Sequence, residues 1–417
     1  MANTFNLGNG NWAQKTEKLL AYNAENDNYK PLPFDFDRAS TATRVNKQGL
    51  IETVATDEPR IDFLNNSKGH LLLEPSRQNL VTYSEDLSNS SWTKSQSSVT
   101  LSNITSPKGT QNVYKFTENT ATSKHQLFRT ISSYTELTIS FFAKKEERSF
   151  IAVEKSGWGS TIFDLNTGSV VSGTGNVIDF GNGWFRCSAS YTASPAQTQF
   201  YLLLMQDSST NNYQGDGNSG LYLWGIQAEA GSYATSYIPT SGSAVTRSAE
   251  TCNGAGNSTV FNDSEGVLYM EMAALDDDGT NRIFGISDGG DFNNSVLLRF
   301  SSSSNRIQAQ VRLGGVYQCS LNYDVSDATE FNKIAFKYKQ NDFSLYVNGV
   351  ERATDTTGNV ITGLDVLDFD ISTTNEFYGK TKELAVFKEA LTDAELESLT
   401  SWISFTEMAT DLEYTLE

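Results

Sequence analysis

Apolar and polar residues alternate along short runs of this chain, and turns rich in glycine and asparagine separate the runs. The run Gly266–Met272 alternates with a period of two, and so does Lys333–Lys339. Because successive side chains of a strand point to opposite faces of a sheet, each run predicts a half-buried β-strand. Candidate strands recur roughly every 8 to 15 residues, a spacing typical of β-sandwiches and barrels. The chain is therefore expected to be all-β.

Length and composition predict more than one sandwich. The chain has 417 residues, of which 38% are hydrophobic and 12% are aromatic. That length exceeds what one core usually serves, and the aromatic content is enough to fill sandwich cores. Two or three ordered domains are expected, and disorder is not.

The net charge limits the expected binding partners, and the cysteine spacing indicates the cellular compartment of assembly. The formal net charge is −19, and a surface this acidic repels phosphate backbones and anionic membranes. Neither nucleic acid nor a membrane is therefore an expected partner. Met1–Gly8 lacks the basic and apolar regions of a secretory signal, and no apolar run approaches the roughly 20 residues of a membrane span. Cys187, Cys252 and Cys319 are widely spaced, which predicts no disulfide framework or zinc site and favours assembly in a reducing cytoplasm.

A set of separated motifs resembles a module that recurs in structural proteins of tailed bacteriophages. The motifs, in order along the chain, are Arg38–Glu52, Glu58–Asp62, Leu71–Leu80, Tyr83–Leu87, Trp92–Lys94, Leu221–Glu229 and Tyr233–Thr240. The resemblance runs from about Pro31 to Ala249. It implies a component of a virion, with other virion proteins as partners and a homo-oligomeric state.

Residues 1–75 are expected to form an extended N-terminal arm that anchors the protein in its particle. Prolines such as Pro31 and Pro59 remove backbone donors and favour extended conformations, and the apolar runs between them are short. One short helix is expected over Gln14–Asn26. The arginines either stay solvated or pair with acidic residues of the same segment to hold the arm on a neighbouring domain or subunit. The arginines are Arg38, Arg44, Arg60 and Arg77, and the acidic residues are Asp35, Asp37, Glu58, Asp62 and Glu74.

Two sandwiches are expected after the arm. Residues 76–248 resemble a jelly-roll sandwich of the carbohydrate-binding-module type. Residues 241–250 are small and polar, which predicts a flexible or extended linker. Residues 249–417 resemble a laminin-G-like, concanavalin-A-like sandwich, because a strand ends in Tyr346–Gly349 and the segment Lys382–Leu396 follows late in the chain.

Local signals in the second sandwich predict one hairpin and one helix. Asn348 and Gly349 between alternating flanks mark a tight hairpin. Thr392 and Glu395 are spaced as a capping box, and Leu391 and Leu396 as a hydrophobic staple. A helix is expected from Asp393 to about Trp402, packed on the sandwich through Leu396, Leu399 and Ile403.

Catalysis is not predicted. His70 and His125 are the two histidines, neither lies near a nucleophile motif, and both are expected at the surface or in turns. Hydrolases of the concanavalin-A-like fold carry acidic residues alternating on one strand, but Glu271 has no acidic partner at that spacing. The strand patterns of polysaccharide lyases of this fold are also missing.

Two kinds of binding residue are expected, for glycans and for calcium. Trp158 lies between glycines and Tyr213 lies in a glycine- and asparagine-rich turn, so both are candidate glycan contacts. Trp184 and Trp224 lie on predicted strands and are assigned to the core. Asp276 and Asp278 are weak calcium candidates, with acidic turns as the simpler interpretation; no other cofactor is expected.

The sequence thus predicts a non-enzymatic structural protein on the exterior of a tailed-phage or phage-like particle. It would act as a decoration, fibre or tail-associated adhesion protein that binds host-surface glycans. One alternative is a glycan-degrading enzyme, a lyase or hydrolase, on the same fold. The other is a bacterial surface adhesin, which a secretion signal would have favoured.

Overall fold

The structure is a computed structural model that describes residues 3–155, 159–289, 292–371, 376–402, 404–411 and 415. The chain divides into two compact units. The split unit consists of Met1–Thr41, Val54–Pro75 and Ala249–Glu417, and the inserted unit consists of Ala42–Thr53 and Ser76–Ser248. Both are built almost wholly from antiparallel strands, which confirms the all-β prediction. No helix in the described ranges is long and apolar enough to cross a membrane.

The split unit is a sandwich of two main sheets. Across the first sheet the strands are Val350–Asp355, Phe343–Val347, Asn332–Lys339, Glu265–Ala274, Gly379–Phe387, Phe5–Gly8, Tyr22–Asn23 and Lys30–Pro31. Across the second sheet they are Val316–Asp324, Arg306–Leu313, Ser295–Phe300, Arg282–Ser287 and Val366–Asp368. Met270 of the first sheet and Leu298 of the second are fully buried in one apolar cluster. The core therefore lies between the two sheets.

Smaller elements complete the split unit. His70–Leu73 pairs with both Gly379–Phe387 and Ile61–Asp62. A four-stranded sheet is formed, in order, by Gln14–Lys15, Lys18–Leu19, Phe34–Asp37 and Thr251–Asn253. A 3-10 turn at Glu25–Asp27 and two helices, Asp393–Thr400 and Phe405–Asp411, are the helical elements of the described residues.

The N-terminal segment is part of the C-terminal sandwich. Phe5–Gly8 pairs antiparallel with Gly379–Phe387, and Phe5 and Leu7 are buried in the shared core. The prediction of a separate arm over residues 1–75 is therefore wrong. Its apolar runs are too short to form a core alone, but Phe5–Gly8 and His70–Leu73 each add a strand to a larger sheet. The helix expected over Gln14–Asn26 is also wrong, because short strands occupy that range.

The segment 241–250 is not a flexible linker. Val245–Arg247 pairs with Arg77–Asn79, and both Arg247 and Glu250 are 1% exposed. The unit boundary lies between Ser248 and Ala249. Small polar residues fit an edge strand as well as a linker, so composition alone could not separate the two.

Two 21-residue strands organise the inserted unit. His125–Lys145 and Phe185–Met205 pair with each other on both sides of a register irregularity near Thr130 and Tyr134. Before the irregularity His125–Lys145 pairs with Thr93–Ser95, and after it with Gly220–Ala230. Both halves contribute to one apolar core. The other strands of this sheet are Ser97–Leu101, Tyr114–Glu118, Phe150–Lys155, Ser160–Asp164, Ser169–Ser172 and Gly175–Asp179.

Three small pairings complete the strand inventory of the inserted segments. They are Arg77–Asn79 with Val245–Arg247, Thr122–Ser123 with Tyr213–Gln214, and Ala42–Val45 with Ile51–Val54.

The local predictions for the second sandwich are confirmed. Asn348 and Gly349 have φ values of 51° and 77°, and Val347 pairs with Val350 across this two-residue turn. The helix begins after Thr392, whose side chain and that of Glu395 form the expected capping box. Leu391 and Leu396 lie in one apolar cluster, and Leu399 packs against it. Ile403 lies outside the described residues.

A buried ion cluster lies in the split unit. Glu250 accepts hydrogen bonds from Arg38 Nη1 at 2.7 Å and from Arg60 Nε at 2.8 Å, and Arg60 Nη1 lies 2.9 Å from Glu74 Oε2. All four residues are at most 3% exposed. A solvated surface is thus the wrong interpretation for Arg38 and Arg60. Of their carboxylate partners here, Glu74 was among the predicted ones and Glu250 was not.

The other two arginines have partners in the inserted unit. Arg44 Nε donates to Glu52 Oε1 at 2.7 Å. The Arg77 guanidinium lies 5.3 Å from the ring centroid of Tyr233. Neither pairs with an acid predicted from the sequence.

Candidate functional site

The structure describes only one of the two aromatic residues predicted to contact glycans. Trp158 lies outside the described residues. Tyr213 is 4% exposed, its hydroxyl donates to Glu118 Oε2 at 2.7 Å, and its ring lies 4.8 Å from the His125 ring. The prediction that Tyr213 is an exposed platform for sugar stacking is therefore wrong. The turn is at the surface and Tyr213–Gln214 pairs there with Thr122–Ser123, but the Tyr213 ring itself is buried.

Tyr213 belongs to a structural carboxylate cluster. Glu118 is 2% exposed and accepts two hydrogen bonds from the Arg148 guanidinium at 2.7 and 2.8 Å, and one from the backbone of Asp216 at 2.9 Å. Burial raises the pKa of Glu118, but these donors outweigh it, so the net pKa is lowered and the carboxylate stays charged. A carboxylate with its lone pairs occupied in this way holds the fold together and offers little to a ligand.

The calcium candidates do not form a metal site in the described residues. Asp278 Oδ1 accepts from the Thr280 backbone at 2.9 Å and pairs with Arg282 at 2.8 Å. No group of three or more His, Cys, Asp or Glu side chains among the described residues is placed to hold a metal ion. Asp276 and Asp278 are thus not brought into a ligand set, and the Arg282 cation already neutralises Asp278.

An open cleft lies in the inserted unit, with a volume of about 320 Å³. Four separate segments line it: residues 49–50, residues 103–107, Lys144, and residues 180–184 without the two glycines. A tight turn shapes one wall, because Phe180 and Trp184 are joined by a backbone hydrogen bond of 2.9 Å across Gly181, Asn182 and Gly183. All three residues of that turn have positive φ.

The cleft combines apolar surface with polar groups. Trp184 is 3% exposed and its indole nitrogen donates to the Thr105 carbonyl at 3.0 Å, so it forms the floor. Phe180 is half-buried, and Asn103 and Asn182 are exposed. Lys144 Nζ donates to the Asn182 carbonyl at 2.6 Å. Rings beside amide, hydroxyl and ammonium groups suit a ligand that has both apolar faces and hydroxyls.

Sequence reasoning placed Trp184 in the core, and its burial fits that assignment. It did not identify Lys144 or Asn103 as lining residues. The glycine-flanked turn before Trp184 was the available signal, but nothing in the linear pattern connects it to residues 103–107 or to Lys144.

A pair of carboxylates lies on the outer face of the first sheet of the split unit. Glu271 and Glu383 are directly opposite on neighbouring strands, and Lys333 is opposite Glu271 on the other side. Lys382 Nζ lies 3.3 Å from Glu271, and Asn9 donates to Glu383 at 3.2 Å. Burial, and then the nearby charge of Glu271, raise the pKa of Glu383. The one-strand pattern could not reveal this pair, because its members are far apart in sequence.

Both histidines are buried, so the prediction of surface histidines is wrong. His70 is 4% exposed, its Nδ1 has no hydrogen-bond partner, and its ring lies 5.5 Å from that of Phe331. Burial, followed by the charges of Lys380, Lys382 and Arg60, holds the pKa of His70 well below its usual value. His125 is fully buried, and its Nδ1 lies 2.6 Å from a backbone carbonyl. Neither ring contacts a serine or cysteine nucleophile in the described contacts.

Residues 268–397 match the family model Laminin_G_3, described as the concanavalin A-like lectin/glucanases superfamily. This match covers much of the first and second sheets of the split unit and confirms the concanavalin-A-like prediction for that sandwich. A search of curated proteins found no match to the chain.

Solved structures with partial similarity to this chain include a module of a sialidase, a trans-sialidase and a toxin domain. A CBM40 module of a Ruminococcus gnavus IT-sialidase, bound to α2,3-sialyllactose, is 19% identical, with 36% of this chain and 93% of that chain covered and a TM-score of 0.30. A leech intramolecular trans-sialidase is 20% identical, with 37% and 27% covered and a TM-score of 0.30. The receptor-binding domain of a botulinum neurotoxin mosaic serotype C/D is 13% identical, with 36% and 39% covered and a TM-score of 0.29.

Proposed function

We propose that this chain is a structural protein on the exterior of a phage or phage-like particle, and that it adheres to host-surface glycans without cleaving them. The observation that carries the adhesion is the cleft in the inserted unit. Its volume of about 320 Å³ and its mixed apolar and polar lining suit a saccharide of one or two rings. The concanavalin-A-like match is compatible with this function, but a fold alone does not establish it.

The particle assignment rests on the phage-like motifs. Several of their residues are structural: Trp92 and Trp224 are buried, and Arg38 and Arg60 lie in the buried ion cluster. Such motifs specify the core and the ion pairs of a module. The same module can therefore recur with different surfaces. We propose a virion location, assembly in the host cytoplasm, and a homo-oligomeric state that gives weak single sites avidity.

A matched pair of lysine variants tests the cleft. Lys144 lines it, whereas Lys145 is the next residue of the same strand and donates instead to Asn166. Lys144→Gln and Asn103→Ala should each reduce binding to an array of bacterial surface polysaccharides by at least about tenfold, equivalent to about 1.4 kcal/mol. Lys145→Gln should bind as the wild type does. Equal binding by all variants, or no binding by the wild type, would reject the cleft as the adhesion site.

The particle assignment has its own test. Mass spectrometry of purified phage particles from lysates of the producing strain should detect this chain in fixed stoichiometry with capsid or tail proteins. Its absence from purified particles, with the protein abundant in the cell envelope fraction, would favour the surface adhesin instead.

A glycan-degrading enzyme is the second candidate, and one observation favours it. Glu271 and Glu383 lie opposite each other, burial and the charge of Glu271 raise the pKa of Glu383, and paired carboxylates perform general acid and base catalysis in glycosidases. New reducing or unsaturated ends in host polysaccharide, lost in both Glu271→Gln and Glu383→Gln, would establish this activity. We expect no such ends, because Lys382 and Asn9 already engage the two carboxylates.

A further inference from the structure

Two cationic side chains inside the inserted unit have charged nitrogens that lack hydrogen-bond partners. Arg129 is 7% exposed, and its Nε and Nη1 have no partner. Lys155 is fully buried, and its Nζ has none either. Among the described residues, no Asp or Glu forms an ion pair with either cation. This is unusual in a chain with 50 acidic residues and a net charge of −19.

The two cations lie in one row on the core face of the sheet. Arg129 pairs directly with Phe200 on one side, and Lys155 pairs directly with Phe200 on the other. Residues paired in this way project to the same face, so the two side chains flank Phe200 across three adjacent strands. Their Cα atoms are then about 10 Å apart, twice the spacing between strands. Both side chains therefore start from the same face of the sheet, one on each side of the buried Phe200.

The existing contacts do not balance the two charges. Arg129 Nη2 donates to the Thr82 hydroxyl, and the guanidinium lies 5.5 Å from the Trp92 ring centroid. Lys155 Nζ lies 5.2 Å from the Tyr191 ring centroid. A cation–π contact recovers only part of the free energy that burial of an ion costs. Burial accordingly lowers the pKa of both groups.

Other buried cations of this chain show the contrast. Arg38 and Arg60 have the carboxylate of Glu250, and Arg282 has that of Asp278. Arg129 and Lys155 have aromatic rings but no anion. A row of two cations with open donors and flanking rings is complementary to one compact oxyanion.

We propose that Arg129 and Lys155 form a binding site for a single compact oxyanion, a carboxylate, sulfate or phosphate group. The anion enters on the side of Arg129, because that side chain reaches solvent and Lys155 does not. The oxyanion is either a free inorganic ion or the acid group of a saccharide. The site shares no lining residue with the cleft at Lys144 and Trp184. The site is therefore distinct from the proposed adhesion site. Only the case in which a saccharide carries the oxyanion rests on the proposed glycan function.

The test is calorimetric titration of the full chain at constant ionic strength with sodium sulfate, sodium phosphate, sodium glucuronate and uncharged glucose. The wild type should bind at least one of the anions and not glucose at this site. Lys155→Met and Arg129→Met should each weaken anion binding at least tenfold. Lys145→Met, an exposed control on the neighbouring surface, should bind as the wild type does.

Stability without ligand provides a second readout that a purely structural role would not produce. Because Lys155 has no counterion, Lys155→Met should leave the unfolding midpoint unchanged or raise it when no anion is present, and should remove the rise that anions cause in the wild type. Binding of inorganic anions alone would identify the source as a free ion. Binding of glucuronate in preference to them would identify an acidic saccharide.

Two results would overturn the site. One is a wild-type chain that binds none of the three anions. The other is retention of anion binding in both methionine variants. Loss of the cleft function in Lys144→Gln with anion binding intact would show that the two sites fail separately.

Discussion

Arg60 and Glu250 are joined at two points, with Arg60 Nε donating to Oε1 at 2.8 Å and Arg60 Nη2 donating to Oε2, and both side chains are almost fully buried. In the sequence they stand on opposite sides of the segment Ser76–Ser248. The ion pair therefore fastens the part of the split unit that precedes the inserted segment to the part that follows it. A bidentate pair fixes orientation as well as distance.

Removal of the Glu250 charge should destabilise the split unit strongly. Glu250→Gln removes the carboxylate charge that pairs with the buried Arg38 and Arg60 guanidiniums, and breaking a buried pair typically costs about 3 to 5 kcal/mol. Denaturant unfolding should report a loss of that size. Asp324→Asn, which removes an exposed partner of Arg306, should have little effect on the unfolding free energy, because solvent screens exposed ion pairs. Similar losses in both variants would contradict the special role of the buried pair.

A chain that begins at Ser76 should not form the C-terminal sandwich. It lacks Phe5–Gly8 and His70–Leu73, which both pair with Gly379–Phe387, and it lacks the buried Phe5 and Leu7. Circular dichroism and proteolysis should show that residues 249–417 are unfolded or aggregated. If the same chain folded normally and merely failed to enter particles, residues 1–75 would be an arm after all.

The stability of the split unit should fall on mild acidification because of His70. The pKa of this buried histidine is lowered in the fold, whereas it is about 6.5 in the unfolded chain. Below pH 6.5 the unfolded state gains a proton that the folded state does not, so stability drops by up to about 1.4 kcal/mol per pH unit. Above pH 6.5 the group has no effect.

The measurement is the difference in unfolding free energy between the wild type and His70→Gln from pH 8 to pH 5.5. That difference should shift in favour of the variant as the pH falls through 6.5. Asp370, whose pKa burial raises to about 6, acts in the opposite direction in both proteins and cancels from the difference. Parallel pH profiles would show that His70 does not carry the effect.

Tyr213→Phe should affect stability and not glycan binding. The variant removes one of the donors to the buried Glu118 carboxylate, at a cost of about 1 to 3 kcal/mol to the inserted unit. Tyr29→Phe, at a side chain that is 71% exposed, is the control and should be neutral. Array binding should be the same for all three proteins. A selective loss of saccharide binding in Tyr213→Phe would restore Tyr213 as a contact residue.

Local sequence signals predicted local structure well. The Asn348 and Gly349 turn and the Thr392 capping box depend on neighbouring residues only, so the sequence pattern determines them directly. The alternation of apolar residues likewise identified strands, because it reflects which side of a sheet is buried.

Pairings between distant segments could not be predicted. Nothing in Phe5–Gly8 identifies Gly379–Phe387 as its partner, so the sequence predicts an arm where the structure has a strand of a sheet. For the same reason the sequence could not show that Glu271 lies opposite Glu383 or that Arg38 pairs with Glu250. Tyr213 shows a further limit, since a polar turn says where the backbone lies and not which way a ring points.

The pairing of Phe5–Gly8 with Gly379–Phe387 also sets an order of events during synthesis on the ribosome. At about 5 to 20 residues per second, roughly 20 to 75 seconds separate the appearance of the two strands. Every segment of the inserted unit is complete before Gly379 is made, so that unit can fold while one edge of the N-terminal strand still lacks Gly379–Phe387. An open strand edge with buried-type side chains such as Phe5 and Leu7 is a site for misassociation in that interval. Slower translation would lengthen this exposure, and dense expression would turn it into aggregation of the nascent chain.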